Sequence, residues 1–311
     1  MKNFISITDI KKEEFDNILS LTDKLKKMQK QGIAHEYLKG KTLGMIFAKS
    51  STRTRVSFEV GMYQLGGYPL FLSSNDIQLG RGESIYDTAN VLSGFLDGIM
   101  IRTFDQNDVY GLAEFGKIPV INGLTDLEHP CQAMADLHTI YEEFGKLAGL
   151  KLSYIGDGNN VAHSLAHACA MAGMDFYVAT PEKYKCDPEQ MEKSKAIALK
   201  TGSKIVETVD PIEAIKNSDA VYSDTWISMG QESEKEQKIK EFSDYQINGQ
   251  LFSKANENAI FLHCLPAYRG YEVTEDVIDG KQSRIFVEAE NRLHAQKAIM
   301  TLLMSERKMS C

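Results

Sequence analysis

The sequence predicts an α/β protein of two doubly wound parallel-sheet domains joined by long helices. Three observations lead there. Short apolar runs alternate with amphipathic helical patterns, the alternation restarts after residue 146, and 311 residues fit about two domains better than one core.

Taken in order, residues 7 to 30 read largely as a helix, with Phe15, Ile18, Leu21, Leu25 and Met28 recurring at a helical period among lysines and acids. The runs KTLGMIFA (41–48), YPLFL (68–72), DGIMIRT (97–103) and IPVING (118–123) read as strands. Helical segments near 52–66, 84–95 and 107–115 separate them, the spacing of crossover helices on a parallel sheet. A longer helix from Pro130 to about Gly145 follows, and the rhythm resumes with KLSYIG, DFYVAT, KIVETV, AVYSDTW, AIFLHC and RIFVEA as strands. A closing helix runs from Asn291 to about Lys308. The expected domains are 1–146, with 291–311 packing back on it, and 147–290.

Composition narrows the function. Hydrophobic residues make up 43% and charged residues 25%, as in globular proteins, while a net charge of -8 disfavours a general nucleic-acid binder. Any bound anion must then meet a local positive pocket. The start MKNFISITDIKKEEFDN lacks a secretory apolar core, and no segment approaches the length of a membrane helix, so a cytoplasmic protein without membrane partners is expected. The cysteines Cys131, Cys169, Cys186, Cys264 and Cys311 are odd in number and form no C-x-x-C pair, the pattern of reduced thiols.

The stretch FAKSSTRTRVSFEVGMYQLGG (47–67) concentrates hydroxyls and two arginines where a strand ends and a helix with Val56, Val60 and Tyr63 on one face begins. Unpaired N–H groups and the helix dipole favour an anion there, and Arg53 adds a bidentate donor for phosphate. An ordinary Ser/Thr cap with surface arginines fits as well. The spacing of a P-loop is absent. Gly156 and Gly158 match two glycines of a dinucleotide fingerprint, but Val161 stands at the third and no acid ends the next strand, which disfavours nicotinamide and leaves Asn160 as a polar contact at the crevice. His163 and His167 lie four apart on the following helix, either a metal pair without the H-E-x-x-H base or packing histidines. Further clusters near strand ends are Glu128 to Gln132, Asp224 to Gly230 and His263 to Pro266. His263 and Cys264 are adjacent on a strand and so face opposite ways, a poor arrangement for a nucleophilic pair.

Together and in order, these clusters resemble the aspartate/ornithine carbamoyltransferase family over nearly the whole chain. The residues that carry the resemblance are Ser51-Thr52-Arg53-Thr54-Arg55, Gln78-Leu79-Gly80-Arg81-Gly82-Glu83-Ser84 with Asp87-Thr88-Ala89, Arg102 and His129-Pro130-Cys131-Gln132. In the second half they are Gly156-Asp157-Gly158-Asn159-Asn160, Asp224 with Ser228-Met229-Gly230, His263-Cys264-Leu265-Pro266 and Glu290-Asn291-Arg292.

The resemblance implies an interdomain active site that transfers a carbamoyl group from carbamoyl phosphate to an amine, without metal or cofactor. It implies that Ser51, Thr52, Arg53, Thr54 and Arg102 hold the phosphate, while His129, Gln132 and the backbone near Cys264 and Leu265 address the carbamoyl group. Arg55 and Arg292 are further cationic candidates for the phosphate, and Arg292 fits a helix-start or interface role equally well. The resemblance further implies a homotrimer in which Gln78 reaches a neighbour's site. Asn160, Asp224, Ser228 and Met229 would hold the acceptor, for which the DTWISMG loop points to L-ornithine and a place in arginine metabolism. Arg102, His129, Cys264 and Asp224 are then the catalytic candidates. Alternatives are a carbamoyltransferase for putrescine or a modified ornithine, and an inactive regulatory homologue.

Overall fold

The computed structural model describes residues 1–74, 76–77, 82–227 and 232–305. The chain divides into two compact units, Met1–His138 with Glu290–Cys311, and Thr139–Ala289.

In the first unit, strands β1 (Thr42–Phe47), β2 (Tyr68–Ser73), β3 (Gly98–Arg102) and β4 (Val120–Leu124) form a parallel sheet in the order β2-β1-β3-β4. Its helices are α1 (Lys12–Lys30), α2 (Thr52–Gln64), α3 (Ile85–Ser93) and α4 (Gln106–Phe115). A 3-10 turn, Ile7–Asp9, precedes α1 and is capped by the Ser6 hydroxyl, so the helix expected from residue 7 starts at Lys12. Ile46, Ile99, Ile101, Val109, Leu112 and Val120 build one core of this unit. On α2, Phe58 and Met62 are buried, which turns Val56, Val60 and Tyr63 outward.

Helix α5 (Pro130–Phe144) leads into the second unit. There β5 (Lys151–Ile155), β6 (Asp175–Ala179), β7 (Ile205–Thr208), β8 (Ala220–Ser223) and β9 (Ile260–His263) form a parallel sheet in the order β7-β6-β5-β8-β9. Helices α6 (Asn160–Ala172), α7 (Pro188–Thr201), α8 (Pro211–Ile215), α9 (Lys235–Glu241), α10 (Gly249–Phe252) and α11 (Glu275–Ile278) cover it.

The stretch RIFVEA, expected as a sixth strand, instead opens helix α12 (Ile285–Met304). Ile285 and Glu288 are buried while Phe286 is 72% exposed, the three-residue spacing of a helix rather than the alternation of a strand. Buried there, Glu288 accepts from the Tyr222 hydroxyl at 3.2 Å and the His263 backbone N–H at 2.8 Å.

The histidines of α6 are packing groups. His167 is fully buried, with Nδ1 2.7 Å from Ser194 Oγ and Nε2 3.2 Å from Gln190 Oε1, and His163 Nε2 accepts from the Asp187 N–H at 2.9 Å. Burial, chiefly, lowers the His167 pKa to about 4. The unfolded chain therefore takes up this proton first as pH falls below 6.5, and the group's stabilisation is complete above that value. About 3 kcal/mol should be lost from this one group between pH 6.5 and 4. Urea midpoints measured across that range should fall further for the wild type than for His167→Gln; parallel curves would contradict the assignment.

Candidate active site

Both sheets reverse their strand order at one point, and the chemically loaded residues stand at the carboxyl ends of the strands there. In the first unit the chain passes from β1 to β2 on one side and then to β3 on the other; in the second, β5 leads to β6 and β7 before β8 appears on its opposite side. The crevice at such a point is where α/β sheets bind ligands.

At the first switch point, Ser51 caps α2, its hydroxyl accepting from the Thr54 N–H at 3.2 Å. The buried Thr54 hydroxyl accepts from Ser51 Oγ at 3.1 Å and from Arg292 Nη2 at 2.8 Å, which orients its own proton for donation elsewhere. Arg102 is the last residue of β3, paired in register with Phe47, and its carbonyl accepts from the Ala48 N–H at 2.8 Å. The chain thus delivers Arg53, Arg102 and Arg292, from distant parts of the sequence, around one helix N-terminus. Their charges register on His129, whose pKa is held well below its ordinary value by burial first and then by Arg292, Arg102 and Arg53. At neutral pH His129 is a neutral imidazole among cations, able to donate a hydrogen bond without adding charge. Neighbouring Cys131, pushed up to about 12 by burial, remains a thiol. Gln132 Nε2 donates to Asp136 at 2.7 Å.

Arg55 is turned elsewhere: its Nε donates to Glu59 at 3.0 Å and its guanidinium lies 3.7 Å from the Phe71 ring centroid. Only one of the two arginines in the 47–67 stretch therefore belongs to the cationic cluster. A group not anticipated, buried Lys49 just after β1, pairs with Asp126 and lies 4.2 Å from the Phe104 ring.

At the second switch point, Asn159 caps α6, its side-chain oxygen accepting from the Val161 and Ala162 N–H groups. Its amide Nδ2 donates to Asp224 Oδ2 at 2.8 Å. Ser223 and His263 are register partners, so Asp224 and Cys264 follow side by side at the ends of β8 and β9. The Cys264 thiol donates to Asp224 Oδ1 at 3.0 Å, and the Thr225 N–H to the same oxygen at 2.7 Å. A neighbouring carboxylate is the opposite of the cationic surroundings that activate a nucleophilic cysteine, which argues against covalent catalysis. His263 supports the loop instead, its Nδ1 accepting from the Leu265 N–H at 2.9 Å and its Nε2 facing Glu272 at 3.3 Å. Donor atoms of Asp224, His263 and Cys264 lie within 4.8 Å of one another, but these hydrogen bonds already engage them. Asn160 opens α6 as its first residue, and Leu265 takes a positive φ of 59° before a cis bond to Pro266. The expected contacts Gln78, Ser228 and Met229 lie outside the described residues.

The G-x-G turn has its own explanation. A Cβ on Gly158 would come within 2.3 Å of the Cys186 nitrogen and 2.6 Å of the Tyr184 oxygen, and the Gly158 N–H donates to that oxygen at 2.9 Å. The close approach that glycine permits here is to residues 184–186 of this chain, so the glycine has a packing reason that needs no dinucleotide.

Comparison with known proteins gives a consistent match. Residues 2–142 match the family model of the aspartate/ornithine carbamoyltransferase carbamoyl-P binding domain, and residues 148–303 that of the Asp/Orn binding domain. The chain is 58% identical over 305 residues to an ornithine carbamoyltransferase of Oceanobacillus iheyensis, covering 98% of this chain and 95% of that protein. It is 52% identical to one from Thermococcus kodakarensis, at 97% and 96% coverage. The solved ornithine carbamoyltransferase of Pyrococcus furiosus superposes with a TM-score of 0.96 at 49% identity, covering 99% of this chain and 98% of that one.

Proposed function

The chain belongs to the aspartate/ornithine carbamoyltransferase family, and from this premise we propose that it transfers the carbamoyl group of carbamoyl phosphate to the δ-amine of L-ornithine, giving L-citrulline and phosphate. The observation that carries the choice of acceptor is Asp224, a carboxylate fixed between Asn159 and Cys264 in the unit matched to Asp/Orn binding. It suits an amino acid with two ammonium groups and repels aspartate, whose added charge is negative.

Each group then has a role. Ser51, Thr52, Arg53, Thr54, Arg102 and Arg292 hold the phosphate, with Arg53 and Arg102 as the planar donors. His129, Gln132 and the Cys264-Leu265 backbone address the carbamoyl group. Asn160, Asp224, Ser228 and Met229 hold ornithine, and Cys264 positions the amine. An alkyl ammonium, with a pKa of about 10.4, must lose a proton before the amine can attack, so partial desolvation beside Cys264 aids the reaction. As nitrogen bonds to the carbonyl carbon, the oxygen gains charge, which Arg102, neutral His129 and the Thr54 hydroxyl stabilise. Phosphate leaves as the C–O bond breaks, and one of its oxygens takes the amine proton. The test is turnover: the purified chain with both substrates should form citrulline and phosphate in equal amounts, and absence of citrulline would refute the proposal.

The same reading extends to the cell and the assembly. It assigns 1–146 with 291–311 to carbamoyl phosphate and 147–290 to ornithine, and gives the enzyme a cytoplasmic place in arginine biosynthesis. Among the described residues no helix is long and apolar enough to cross a membrane. A homotrimer with Gln78 supplied by a neighbouring copy is supported by the exposed face of Val56, Val60 and Tyr63 on α2, beside exposed Tyr68 and Leu70 of edge strand β2. Val60→Glu should convert a sedimenting trimer to monomer and lower turnover; a wild type that sediments as a monomer would contradict this.

A further inference from the structure

The second unit buries a full ion pair that the chemistry above does not use. Lys238 of α9 is 1% exposed, and its ammonium donates to Asp157 Oδ2 at 2.6 Å. It also lies 5.1 Å from the centroid of the Tyr184 ring, in a wall where Tyr184 and Trp226 pack on Phe242 at ring separations of 4.8 and 5.6 Å. Two charges withdrawn from water are costly, and such a pair contributes little net stability compared with apolar packing of similar shape. Its position suggests another use. Asp157 belongs to the tight turn Gly156–Asn159 after β5, with its carbonyl accepting from the Asn159 N–H at 2.8 Å. From that turn Asn159 reaches Asp224.

We propose that Lys238 is a positioning residue for the amine acceptor: by pairing with Asp157 it fixes the turn from which Asn159 orients Asp224. It also neutralises the second buried carboxylate of this region. Burial pushes the Asp157 pKa upward, with Lys238 opposing and Asp224 and Glu234 adding to the rise, so the lysine offsets the repulsion between this acid and Asp224. The inference rests on the acceptor site proposed above and adds to it a residue that touches no ligand.

Lys238→Met keeps the length and apolar stem while removing the charge. In purified enzyme it should raise KM for ornithine roughly tenfold or more, leave KM for carbamoyl phosphate within about twofold, and be largely rescued by Lys238→Arg. Asp157→Asn should shift the same constant in the same direction, and it carries the test alone if Lys238→Met does not fold. An unchanged ornithine KM in a folded variant, or equal rises for both substrates, would overturn the proposal. Wild-type turnover with other amines separates the two ideas. If another amine proves the better substrate, the acceptor reading fails, while a selective rise in KM for that amine still upholds the role of Lys238.

Discussion

Arg53→Ala should abolish useful turnover by removing carbamoyl phosphate binding. Arg53 stands in the first turn of α2, and its charge reaches buried His129 together with those of Arg102 and Arg292. Losing one bidentate donor to a buried dianion costs about 3 kcal/mol, or roughly a hundredfold in affinity, and leaves phosphate charge unpaired. Calorimetric titration with carbamoyl phosphate checks this directly, and wild-type affinity in the variant would remove the phosphate site from the account. Arg55→Ala is the control: with its guanidinium on Glu59 and Phe71, it should leave that affinity nearly unchanged.

Asp224→Asn should divide the two substrates in the opposite way. The amide preserves the shape of the side chain but removes the charge proposed to meet an ammonium, so ornithine affinity should fall about a hundredfold with carbamoyl phosphate binding nearly intact. Equal loss of both ligands would give Asp224 a structural role, as the clamp between Asn159 and Cys264, rather than a recognition role.

Much of this was legible in the sequence, for identifiable reasons. Strands β1, β3 and β4 of the first unit are apolar runs bounded by Gly, Pro and Lys, and buried parallel strands read that way. The run at 284–289 misled because Ile285, Phe286 and Val287 favour strands locally, while burial of Ile285 and Glu288 selects the helix. Helices α8, α10 and α11 span only four or five residues, too few for a periodicity to show. At the site, the Ser51 cap was readable from spacing alone. The link between Asn159 and Asp224 was not, because 65 residues separate them and only the pairing of β5 with β8 brings them together. One missed signal was present: Glu59 lies four residues after Arg55, the spacing of a helical ion pair, and it separates the surface arginine from Arg53.

In the proposed reaction the first unit binds carbamoyl phosphate and the second selects ornithine through Asp224. The most direct measurement is a single reaction containing carbamoyl phosphate with ornithine, putrescine, lysine and aspartate at equal concentrations, its products resolved by mass spectrometry. Citrulline should dominate. Predominance of carbamoylated putrescine or aspartate would contradict the account.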